Sequence, residues 1–89
     1  MALEVGVNSW VTVEEADEYL EDIVATEDWF SLAAQVKGQY LVTAFRWLLS
    51  DSGFSLRPKM TETVVKQAQI EAALFLLRYG EEWNRRQAL

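Results

Sequence analysis

Residues 12–24 read Thr12-Val13-Glu14-Glu15-Ala16-Asp17-Glu18-Tyr19-Leu20-Glu21-Asp22-Ile23-Val24, and the pattern is helical. Thr12 is a good N-cap, and Glu15 three residues on completes a Thr-x-x-Glu capping box. Val11 and Ala16 stand at the positions of a hydrophobic staple. Val13, Ala16, Leu20 and Ile23 recur at i, i+3, i+7 and i+10, one stripe of a helix, with Tyr19 and Val24 flanking it. The spacing predicts a helix over 13–24. Its opposite face carries Glu14, Asp17, Glu18, Glu21 and Asp22. Like charges four residues apart on a helix each cost about 0.2–0.5 kcal/mol. Such a face is either solvated or laid against something basic.

Outward from this stretch the same period continues. Residues 1–11 read as an irregular arm, broken by Gly6 and by Asn8-Ser9. Thr26 is placed to cap a short helical turn holding Trp29 and Phe30. A helix over 34–50 is predicted from two offset stripes, Ala34-Leu41-Phe45-Leu48 and Val36-Tyr40-Trp47. Gly38 inside it costs roughly 1 kcal/mol against alanine, or marks a close contact. Asp51-Ser52-Gly53 is turn chemistry, and a loop over 53–60 carries Arg57 and Pro58. Thr61 is the expected cap of a third helix over 62–79. Val65, Ala68, Ala72, Phe75, Leu76 and Tyr79 line one face of it, and Ile70, Leu74 and Leu77 another. Gly80 is the expected stop. Residues 80–89 form a tail, either a short helix or free. The expectation is a single all-α domain over 1–89, compact, with three main helices and short connections.

Composition narrows the function. The chain has 89 residues with no Cys and no His. This excludes Cys or His nucleophiles and bases, a Ser-His-Asp triad, and the common zinc and haem sites. The four glycines form no Gly-x-Gly-x-x-Gly and no Walker motif. One helix splays its carboxylates outward, whereas a hard cation wants them converging. The chain is therefore read as not an enzyme, with no cofactor and no metal. Net charge is −6, unfavourable for a phosphate backbone. The distribution says more: residues 1–28 hold nine acids and no base, whereas residues 29–89 hold eight bases and five acids. That polarity suits copies meeting head to tail in a contact that salt weakens. No apolar run approaches 18 residues, so no membrane span is expected. The start, Met-Ala-Leu-Glu-Val, lacks signal-peptide character, which places the expected location in the cytoplasm.

Two further features bear on partners. Arg78-Tyr79-Gly80-Glu81-Glu82-Trp83-Asn84-Arg85-Arg86 mixes aromatics with arginines. This is the chemistry of a base-stacking platform, and equally of a protein interface. The helices over 34–50 and 62–79 are apolar on more than one side. Either they wrap one core, or a subunit contact covers what is left over.

The opening Asn8-Ser9-Trp10-Val11-Thr12-Val13-Glu14-Glu15-Ala16-Asp17-Glu18-Tyr19 resembles that of a small tailed-phage and prophage family. Its members are similar to head–tail connector (adaptor, head-completion) proteins, and some are labelled DnaT-like single-stranded-DNA-binding proteins. The resemblance continues through Trp29, Lys37 to Leu48, Pro58, and Val64 to Leu77, about residues 8–79. This chain has Trp10 where the family has Tyr, and a short loop over 51–60 where many relatives carry an insertion. The resemblance implies structural work: a ring of copies joining the portal, extending the DNA channel and receiving a tail or stopper protein. The setting would be the host bacterial cytoplasm during assembly, then the virion. Tyr79, Trp83, Arg85 and Arg86 would be contacts by position, beside the acidic face Glu14, Asp17, Glu18, Glu21 and Asp22. In the DnaT-like alternative, Arg78, Tyr79, Trp83, Arg85 and Arg86 would meet single-stranded DNA, and nucleic acid would otherwise be met only weakly or indirectly.

Overall fold

A capping box opens the first helix. The Thr12 hydroxyl accepts from the Glu15 N–H at 3.0 Å, and the Glu15 carboxylate accepts from the Thr12 N–H at 3.0 Å. From there the chain, seen in a computed structural model that describes residues 3–50 and 62–88 with side chains as far as Gly80, forms four helices. They are α1 (Val13–Glu21), α2 (Glu27–Phe30), α3 (Ala34–Ser50) and α4 (Glu62–Ala88). The expected all-α domain with three main helices is what forms. The described residues contain no strand, only an isolated bridge between Val5 and Ser9.

α3 and α4 make the dominant interhelical contact, and α1 lies against both. The core runs through all three. Val11, Ala16, Leu20, Trp29, Leu41, Ala44 and Ala73 are fully buried, with Leu48, Ile70, Ala72 and Leu74 close behind. Small residues on α3 and α4, Ala44, Ala72 and Ala73, let the two helices approach closely.

Two boundaries and one cap differ from those the sequence predicts. α1 ends at Glu21, not at Val24. Ala25 takes a left-handed φ of 61°, and the Thr26 hydroxyl bonds back to the carbonyls of Leu20 and Ile23. These bonds close a turn and lift Ile23 and Val24 off the core, to 40% and 87% exposure. Thr26 is thereby spent on the preceding turn and makes no side-chain cap for α2. α4 runs through Gly80 to Ala88. A glycine stops a helix when it takes a left-handed φ, and among the described residues only Gly6 of the glycines does.

The stripes need adjustment too. Ala34, Phe75 and Tyr79 are exposed, whereas Val42, Lys37 and Gln69 are buried. Gly38 is buried opposite Leu3, but a Cβ there would sit 3.7 Å from the Leu3 Cβ, an ordinary contact. The turn at 51–53, the loop carrying Arg57 and Pro58, and the Thr61 cap lie outside the described residues.

The arm before α1 is irregular but fastened. Ser9 and Val11 are fully buried. The fully buried Gln69 of α4 donates to the Ser9 hydroxyl and to the Leu41 carbonyl, both at 2.8 Å, and accepts from the Trp10 N–H at 2.9 Å. One side chain thus joins the arm, α3 and α4. A buried amide with its bonds satisfied specifies one arrangement of those elements.

Candidate functional site

The acidic face of α1 is not uniform. Asp17 turns inward: its carboxylate accepts from the Trp29 indole N–H at 2.9 Å and from the Lys37 ammonium at 3.0 Å. Lys37 is 8% exposed and also lies over the rings of Trp29 and Phe30. A buried ammonium needs such partners, because removing it from water costs far more than an exposed ion pair returns.

Glu15 reaches α4. Its second carboxylate oxygen meets the Lys66 ammonium at 2.7 Å, and Lys66 also pairs with Glu62 at 3.2 Å. The hydrogen bond from Lys66, followed by that from the Thr12 backbone, lowers the Glu15 pKa. The same bond to Glu15, then the one to Glu62, raises that of Lys66. The pKa of Tyr19 is raised, first by desolvation and then by the Glu71 charge on α4. Further along α4, Arg78 donates to Asp28 at 3.1 Å and to the Ala25 carbonyl. The bond from Arg78 lowers the Asp28 pKa.

Of the predicted acidic contacts, Glu14, Glu18, Glu21 and Asp22 remain exposed, and Asp17 is spoken for inside the fold. The charge segregation along the chain is thus partly internal complementarity: Lys37, Lys66 and Arg78 each bond an acid from residues 1–28. Sequence gave no local signal for these pairs, since their members lie 20 to 51 residues apart. Gln69 did have one, as a polar residue four places after Val65 on an otherwise apolar face.

A second surface lies where α3 and α4 run together. The Trp47 and Phe75 rings stack with centroids 6.3 Å apart and planes 6° from parallel, and Phe75 meets Tyr79 at 5.0 Å. Phe75 is 47% exposed and Tyr79 52%. The α4 backbone carries the series on toward position 83; the side chains of Trp83, Arg85 and Arg86 lie outside the described residues.

Among the described residues no three acidic side chains gather as a metal would require, and no helix is long and apolar enough to cross a membrane. No protein-family model, curated protein or solved structure matches the chain.

Proposed function

We propose that the chain is a structural assembly protein, a head–tail connector (adaptor, head-completion) subunit of a tailed phage or prophage. In this reading it docks on the portal, meets further copies of itself in a ring, extends the DNA channel and receives a tail or stopper protein. It works in the host bacterial cytoplasm during assembly and then in the virion, and catalyses nothing.

The observation that carries the reading is the aromatic series on α3 and α4 in which Phe75 and Tyr79 are half-exposed beside the partly buried Trp47. Aromatic side chains left in water at this density favour a subunit contact. The acidic face is the lesser candidate, because Asp17 and Glu15 are already paired within the chain. The sequence resemblance over about residues 8–79 supports the same reading. Single-stranded-DNA binding is less favoured: Arg78, on which it relies, is held by Asp28 and the Ala25 carbonyl.

Sedimentation velocity, alone and with the portal ring of the same phage or prophage, tests the proposal. Association with the ring, lost in Phe75→Ser and Tyr79→Ser variants, is expected. A chain that stays monomeric at high concentration and ignores the ring defeats it, as does salt-reversible quenching of tryptophan fluorescence by an oligonucleotide without any ring binding.

A further inference from the structure

We propose that the cleft between the end of α1 and α2 is a docking surface for a basic amphipathic segment of a partner protein, one that presents an apolar side chain flanked by lysine or arginine.

The cleft is open and has a volume of about 680 Å³. Its floor is apolar: Val24 is 87% exposed, Phe30 43% and Ile23 40%. Single exposed apolar residues are ordinary on a protein surface, but Ile23 and Val24 of the turn and Phe30 of α2 line one cleft together. Nor is the turn frayed. The Thr26 hydroxyl bonds the carbonyls of Leu20 and Ile23, Ala25 sits at a φ of 61°, and Arg78 clamps both the Ala25 carbonyl and Asp28. The apolar side chains are held outward by braced backbone.

The rim is acidic. Glu21, Asp22 and Glu27 are exposed around that floor, and none of them forms an ion pair among the described residues. Among the described residues, Lys37 lies over the Phe30 ring and Arg78 bonds the Ala25 carbonyl, but each is already paired with an acid, Lys37 with Asp17 and Arg78 with Asp28. The chain thus supplies the floor and the negative rim, and leaves the positive charge to whatever binds.

Each feature selects the occupant. The acids repel nucleic acid and favour lysine or arginine. The apolar floor gives an advantage to a segment with a hydrophobic anchor over one that is merely charged. The open shape suits a peptide segment better than a small molecule, which wants enclosure on most sides. The inference goes beyond the connector reading and stands or falls separately from it.

The test is a titration of the isotope-labelled full chain, followed by amide chemical shifts. The probes are a leucine/lysine amphipathic helix, the same helix with glutamate in place of lysine, and deca-lysine. The leucine/lysine helix should shift the amides of residues 21–27 and 30, and bind less tightly at high salt. Val24→Lys should weaken it by about tenfold or more while leaving the helical circular dichroism unchanged, because the Val24 side chain packs on little. The glutamate helix should not bind. Equal binding by deca-lysine would overturn the proposal, as would shifts clustered on Phe75 and Tyr79 or no shifts at all. So would self-association without peptide that Val24→Lys abolishes, which would make a second copy the occupant.

Discussion

The first thirty residues and the α3–α4 pair are held in different ways. α3 and α4 associate through apolar side chains, with Leu41, Ala44, Leu48, Ile70 and Ala73 between them. The arm, α1 and α2 contribute fewer such residues and are fastened at named polar points: Ser9 and Trp10 to Gln69, Asp17 to Lys37 and Trp29, Glu15 to Lys66, Asp28 to Arg78. Apolar contact is forgiving about register, whereas a hydrogen bond is not. The pair supplies cohesion, and the polar points decide where the acidic third sits. In a chain this short the core alone gives little surplus stability, so the polar points weigh more than they would in a larger domain.

The largest expected effect falls on Trp29, the largest fully buried side chain of the first thirty residues. Trp29→Ala should cost about 3–5 kcal/mol, read as a fall in the urea midpoint, since it empties a fully buried site and strips Asp17 of a donor. Trp29→Phe, which keeps most of the bulk, should cost less. A Trp29→Ala variant that unfolds near the wild-type midpoint would show that neither this buried side chain nor its bond to Asp17 helps to hold the first thirty residues.

Gln69→Leu comes next. It keeps an apolar body in a fully buried position but removes the acceptor of the Trp10 N–H, for about 1–3 kcal/mol. Hydrogen exchange should locate the loss: amides of residues 4–12 should exchange faster, while the centres of α3 and α4 change less. Uniform loss across the molecule would mean that the two regions are one cooperative unit.

Thr12→Ala should cost about 1 kcal/mol by removing the cap of α1, measured by the same denaturation. The smallest effect is that of pH. Glu15 and Asp28 titrate below their ordinary values of 4.5 and 3.8. Their contribution is present above those values and is lost as pH falls through the lowered folded ones. Stability should therefore fall on acidification below about pH 4.5, less steeply in a Glu15→Gln/Asp28→Asn variant. Both carboxylates are about two-fifths exposed, at 40% and 41%, so added salt should shrink the difference.

What was legible in the sequence is what is local. The Thr12–Glu15 box spans four residues, and both of its bonds form. The limits of α3, and the presence of three main helices, follow from apolar period. Gly80 misleads because composition marks it as a stop while its conformation is decided by the helix around it. Ile23 fits the stripe of α1 but lies past a turn that Thr26 and Ala25 close, and no spacing announces that turn. Asp17 reads as one carboxylate of a solvated face because its partners, Trp29 and Lys37, are 12 and 20 residues away. Of the candidate contacts, Glu14, Glu18, Glu21, Asp22 and Tyr79 are exposed.

Gln69 also sets an order in time. It joins residues 59 and 60 positions apart, while α1 and α3 close bonds only four residues long. Helices form in about a microsecond, but a link across that span must wait for the chain to bring its ends together. On the ribosome the wait is longer: at about 5–20 residues per second, residue 69 is added roughly 3–12 seconds after residue 10. Through that interval Ser9, Trp10 and Val11 lack the surface that will bury them. The arm is thus made before the element that secures it, and a chain cut short before α4 would leave it open.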